Sequence, residues 1–255
     1  MIPLREQEYI KQRFERELEG KVKLDFFTQR PSRLYVPGRE ECATCDDARK
    51  LYEELASLSD RVSLTTHEFA DAREEAAKLG VDKIPAAVLR GPANRPLRFF
   101  GVPGGNEFPN FVETIIEASR QKAAVSAETA KRLKKLTDKA SIAVYVTPTC
   151  PHCPGVVRAA YRLALASTHI DASAIEISEF PRLAQQLGVR AVPYIVINDQ
   201  AAIAGAVDEA GLLEAIQKTA EGAPPGPARQ AGETTETDPG QPPAASPASN
   251  LIIPR

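Results

Sequence analysis

Cys150-Pro151-His152-Cys153 holds two thiols one helical turn apart, and Cys42-Ala43-Thr44-Cys45 has the same spacing earlier in the chain. Sulfurs so placed can close a disulfide, exchange it with another molecule, or hold a metal ion. The alternating run Ile142–Val146 ahead of the second pair reads as a buried strand, and an apolar helical pattern follows it. That order puts Cys150 at a helix N-terminus and Cys153 one turn in. Main-chain N–H groups and the positive helix end favour a thiolate there. Pro151 suits a first helical turn, where no N–H is needed. His152 is a cation or donor beside the sulfur, or simply a loop residue.

The elements that must position these pairs occur twice. In the first half, Leu4–Leu18 has one apolar helical face, Lys21–Phe27 reads as a strand, and Cys42 opens a helix to about Leu58. Val62–Phe69 is strand-like, Asp71–Leu79 is a short helix, and Ile84-Pro85 enters another strand. Leu97–Phe100 is a last strand before a helix over Glu107–Lys122, with Val102–Gly105 an ordinary turn between them. Ser126–Lys139 opens the same order again. Pro85 lies 43 residues after Cys42, and Pro193 lies 43 after Cys150. Leu79-Gly80-Val81 and Leu187-Gly188-Val189 share the 108-residue offset of the two cysteine pairs. This is a duplicated α/β unit. Phe27 precedes Cys42 by 15 residues and Val146 precedes Cys150 by 4, which implies an 11-residue insertion at about 28–41.

At 255 residues the chain suits two domains of about 100 residues each, with extras. We expect boundaries at 1–122 and 123–220, and a disordered Pro/Ala/Gly-rich tail over 221–255. A net charge of −2 gives no reason to expect nucleic acid or an anionic membrane surface as partner. No apolar run reaches the roughly 20 residues of a membrane span. The first residues carry charge throughout and lack an apolar leader core. All four cysteines fall in the two pairs, so a cytoplasmic protein using them for chemistry is expected, without a cofactor.

Cys150-Pro151-His152-Cys153-Pro154, Val192-Pro193, Cys42/Cys45 and Ile84-Pro85 resemble the two-domain protein disulfide oxidoreductases, which are glutaredoxin-like tandem thioredoxin-fold proteins. The N-terminal module of the alkyl hydroperoxide reductase flavoprotein is similar. The resemblance covers about residues 8–220. It implies two thioredoxin-like domains packed as one body, each a central mixed β-sheet flanked by helices. It also implies that Pro85 and Pro193 are cis and sit against the dithiols. His152 stands where tyrosine is usual in that family.

The same resemblance implies thiol–disulfide exchange with protein substrates. Cys150 attacks and Cys153 resolves, with Cys42 and Cys45 as the first-half equivalents. Asp46 and Asp47, with Glu40 and Glu41, oppose a thiolate at Cys42, so the second pair should be the more oxidising and more reactive. With the insertion removed, Asp25 falls six residues before Cys42, as in thioredoxin, where a buried acid serves the resolving cysteine. The alternative is an acid at an exposed strand end. Tyr194 borders the substrate groove or only packs, and His67 and His169 read as surface or helix-end residues. Expected partners are protein disulfides and dithiols, with a thioredoxin-reductase-like flavoenzyme or a peroxiredoxin as redox relay. Rival readings are a glutathione-dependent glutaredoxin, from Gly205–Glu209, and a zinc protein.

Overall fold

Alternating apolar residues build two central strands, β1 (Val22–Thr28) and β5 (Ala140–Val146), and each is followed by a dithiol. The computed structural model describes residues 2–30 and 41–220 and the backbone of 251–252. The first half runs α1 (Leu4–Glu17), β1, α2 (Cys45–Ser57), β2 (Val62–Glu68), α3 (Arg73–Lys78), β3 (Ala86–Arg90), β4 (Leu97–Phe100) and α4 (Glu107–Ala118). The second runs α5 (Ala127–Leu133), β5, α6 (Cys153–Ala166), β6 (Ile170–Glu176), α7 (Pro181–Leu187), β7 (Tyr194–Ile197), β8 (Ala201–Ala204) and α8 (Glu209–Ala220). The expected boundary at 122/123 falls in the connection between α4 and α5. The expected insertion and tail lie largely outside the described residues. The exception in the tail is Leu251–Ile252, whose backbone forms β9 against β8.

The strands form one sheet in the order β2-β1-β3-β4-β6-β5-β7-β8-β9. Each half contributes four strands in the same relative order. The join is parallel, β4 to β6, with Leu97 opposite Ala172 and Phe100 opposite Ile175. Following the pairing through, β1, β4, β6 and β5 all point one way. Both dithiols therefore follow strands that end on the same rim of the sheet.

Two apolar layers cover the faces. One face, with Leu24, Phe26, Val144 and Val146, packs under α1, α2, α4, α5, α6 and α8. The other, with Phe27, Val88, Tyr145 and Tyr194, packs against α3 and α7. The repeated Leu-Gly-Val caps these two short helices. The N–H groups of Val81 and Val189 reach back to Ala76 and Ala184, and Gly80 and Gly188 adopt positive φ of 67° and 63°.

Strand pairing corrects the size of the insertion. β1 aligns with β2 from Val22 to Thr28, and β5 aligns with β6 from Ala140 to Val146. Thr28 is thus the counterpart of Val146, and the two lie 14 and 4 residues before their cysteines. The first half carries ten extra residues, not eleven. The counterpart of Asp25 is then Ala143 rather than Val144, the residue that the six-residue spacing picks out before Cys150, and a slip of one residue along a strand moves a side chain to the opposite face.

Candidate active site

Each pair closes as a disulfide within its own motif, with Cα atoms 5.5 Å apart in both. The resolving cysteines are the deeper ones: Cys45 is 1% exposed and Cys153 is 0%, whereas Cys42 is half-buried and Cys150 is 6% exposed. The pairs sit at the ends of β1 and β5, with β3, β4 and β6 between those strands, so they do not converge on one tetrahedral cysteine site.

The helices begin at the second cysteine of each pair, three residues later than the spacing suggests. Pro154 has no N–H and could not bond the Cys150 carbonyl, which suits a start at Cys153, although α2 starts at the equivalent Cys45 with Asp46 in that place. Pro154, not Pro151, is the proline of the first helical turn. Cys150 is held instead by a turn, its N–H donating to the Thr147 carbonyl at 3.2 Å. The Cys153 N–H points back at Cys150 Sγ, 3.1 Å away. In the first motif, the Cys42 N–H donates to Gln29 Oε1 at 2.9 Å.

Both prolines opposite the dithiols are cis, at Ile84-Pro85 and Val192-Pro193. Their carbonyls accept matching main-chain bonds, Pro85 from Gly101 at 2.8 Å and Pro193 from Gly205 at 2.9 Å. Each proline leads into a strand, β3 or β7, that pairs directly with the dithiol-bearing strand.

The surroundings differ in charge. Asp46 and Asp47 occupy the first turn of α2, whereas the first turn of α6 has no acidic residue. His152 is exposed at the N-cap position of α6.

Asp25 does not reach a dithiol. It lies on the sheet face away from α2, where Oδ1 meets His67 Nε2 at 2.9 Å and Oδ2 accepts from Arg90 at 2.6 Å. His67 also stacks on Phe27, ring centroids 4.6 Å apart, and so belongs to a half-buried ion cluster rather than the surface. His169 is half-buried beside Thr168 at the entrance to β6. Tyr194 is buried against Tyr145 on the same face as Asp25, and burial pushes its hydroxyl pKa up.

Two carboxylates that sequence reasoning passed over lie at or next to contacts between the halves. Glu107 opens α4 and is 1% exposed. Its Oε2 accepts from Asn110 at 3.0 Å, while Oε1 is buried without a hydrogen-bond partner among the described residues. Burial raises its carboxyl to about 7, against the opposing pull of Asn110 and Arg158. The residue before it, Asn106, donates its N–H to Pro148 in the loop leading to Cys150. Glu179 closes the short 3₁₀ turn after β6 and accepts from the Thr44 hydroxyl, inside the first motif. Glu179 comes from the half opposite to the motif it bonds, and Asn106, beside Glu107, bonds the loop of the half opposite to its own. The signal for Glu107 was its place at a helix start after Gly104-Gly105, read as an ordinary turn. For Glu179, 135 residues from Thr44, local patterning held none.

The family described as "Thioredoxin domain" matches residues 140–218. A thioredoxin from Methanocaldococcus jannaschii is 36% identical over 81 residues, which are 31% of this chain and 95% of that protein. The alkyl hydroperoxide reductase AhpF of Pseudomonas putida is 28% identical over 167 residues, 63% of this chain and 30% of that protein. The chain thus spans about a third or less of the AhpF relatives it matches. The crystal structure of a protein disulfide oxidoreductase from Aeropyrum pernix K1 superposes with a TM-score of 0.75 at 23% identity, covering 87% of this chain and 95% of that one.

Proposed function

The chain belongs to the thioredoxin family, and from that premise we propose that it exchanges dithiols and disulfides with protein substrates at two sites. The observation that carries this reading is the Cys153 N–H aimed at Cys150 Sγ from a helix start, with Cys153 buried beneath. A donor so placed stabilises a thiolate on Cys150 and leaves the covered sulfur to resolve.

In the oxidising direction a substrate thiolate attacks Cys150 Sγ. The Cys150–Cys153 bond breaks, and Cys153 departs as a thiolate that takes up a proton. The substrate's second thiolate then attacks its own sulfur in the mixed disulfide, and Cys150 leaves as a thiolate held by the helix start. Two electrons pass from substrate to protein; of the two protons the substrate thiols release, one ends on Cys153 and the other goes to solvent while Cys150 stays a thiolate. The reducing direction reverses each step. Glu107, buried with one oxygen unpartnered among the described residues and next to Asn106, whose N–H bonds the loop before Cys150, is suited to hold the proton exchanged with Cys153. Pro85 and Pro193 border the two sites where a substrate chain would lie, and His152 adds charge at the second.

The first pair, Cys42 and Cys45, performs the same exchange at a lower potential, because Asp46 and Asp47 oppose charge on Cys42. Similarity to the alkyl hydroperoxide reductases favours one specific use, relay of electrons between a flavoenzyme and a peroxidase. The glutathione reading has less support: Asp208 Oδ1 is engaged by the Gly211 N–H at 2.8 Å, capping α8. The test is a titration in graded thiol/disulfide buffers, quenched by alkylation and read by mass at each motif. Two separate two-electron transitions, the second pair at higher potential, are expected. A single transition confines exchange to one site, and none rejects the function.

A further inference from the structure

The carboxylate of Glu179 reaches Thr44 of the first motif across the join between the halves. Oε2 accepts from the Thr44 hydroxyl, and Oε1 accepts from the Val102 N–H at 2.6 Å. Thr44 lies between Cys42 and Cys45, as the residue on which α2 starts. The place is built to admit the acid: a Cβ on Gly101 would stand 2.8 Å from Glu179 Oε1. Two donors directed at two oxygens fit the ionised form. Burial pushes the carboxyl pKa up and the neighbouring Glu176 adds to the rise, while those donors pull it down without cancelling it. Nearby Glu176 is 3% exposed and is itself engaged by Ser178. Among the described residues the second dithiol has no counterpart on its own motif, where His152 stands in the place of Thr44 and is exposed.

We propose that Glu179 is a positioning residue for the first dithiol, anchoring Thr44 and opposing a thiolate at Cys42, so that the second half sets how reducing the first pair is. A thiolate on Cys42 is disfavoured beside a fixed carboxylate, and the disulfide is correspondingly favoured over the dithiol. The role rests on the reading of Cys42–Cys45 as a redox couple.

Glu179→Gln keeps the shape, its amide oxygen accepting from the Val102 N–H and its amide N–H donating to the Thr44 hydroxyl, but removes the charge. Site-resolved alkylation at pH 7 should show Cys42 reacting about 3- to 10-fold faster in the variant, the effect of a thiol pKa lowered by roughly half to one unit. The equilibrium of the first pair against glutathione should shift toward the dithiol by a similar factor. Cys150–Cys153 in the same molecule should not move, which separates tuning from general loosening of the fold. Glu179→Asp, which retains the charge, should stay within about twofold of wild type. Unchanged Cys42 reactivity and equilibrium in Glu179→Gln would overturn the proposal, as would equal shifts at both pairs. A wild-type titration with no transition at Cys42–Cys45 would overturn the redox reading of that pair and this role together. A wild-type transition that Glu179→Gln leaves in place would overturn the role alone.

Discussion

The N–H of Asn106 donates to the carbonyl of Pro148 across 2.9 Å, tying the start of α4 in the first half to the loop that presents Cys150 in the second. Gly105 makes the approach possible. Its φ is +54°, and a Cβ there would fall well inside the van der Waals shell of the Pro148 carbonyl oxygen. Gly105→Ala should therefore cost about 1–3 kcal/mol in urea denaturation, combining left-handed strain with the clash. Cys150 alkylation should change in the same variant while Cys42 alkylation does not.

The two cysteines of a pair should separate by single substitution. Cys153→Ser retains the attacking sulfur and removes the resolver, so incubation with a disulfide-bearing protein should accumulate a mixed disulfide visible on non-reducing gels. Cys150→Ser should accumulate little, because Cys153 is fully covered. Equal trapping by both variants would reverse the assignment of attacker and resolver.

Glu107 should make stability depend on pH. Burial lifts its carboxyl from 4.5 to about 7 in the folded chain, so the native state holds this proton more tightly than the unfolded one. The contribution is complete below the unfolded value of 4.5 and is lost as pH rises through about 7. Between those limits the wild type should lose on the order of 3 kcal/mol relative to Glu107→Gln. Parallel denaturation series at pH 4.5, 6 and 8 measure the difference. If Glu107 also serves Cys153, Glu107→Gln should slow resolution of the second pair in the same samples.

Asp25 should matter to stability and not to exchange. Asp25→Asn leaves Arg90 and His67 without their carboxylate in a largely covered site, at a cost of about 2–4 kcal/mol. Thiol reactivity and potential at Cys42–Cys45 should be unchanged. A shift in either would restore the proton-accepting role that the thioredoxin-like spacing suggests.

That residue shows where sequence reading stops. The repeat, the strand before each dithiol, the two cis prolines and the exchange chemistry were legible, because each is written in local spacing and repeated at a constant offset. The face of Asp25 was not, since it depended on an insertion length known only to within one residue, and one residue is half a pleat. The true helix starts were not legible either, since α2, with Asp46 after its second cysteine, and α6, with Pro154 there, both begin only after the turn between the cysteines. His67 and Asp25 met only because β1 and β2 pair in register. Glu179 bonds the motif of the other half and Asn106, beside Glu107, bonds the loop before Cys150, and no periodicity within either half records a contact between them.

The parallel join of β4 to β6 relates the halves by a shift along the sheet rather than by a dyad. A dyad would turn the two dithiols away from each other; a shift leaves both on one rim, under helices on one face. From β1 to β5 is four strand spacings, about 19 Å, while a protein partner's footprint of about 800 Å² is roughly 30 Å across. A protein docked on either dithiol overhangs its neighbour. Macromolecular partners must therefore take turns, and a second protein in excess should inhibit exchange with the first competitively, even when each reacts with a different pair.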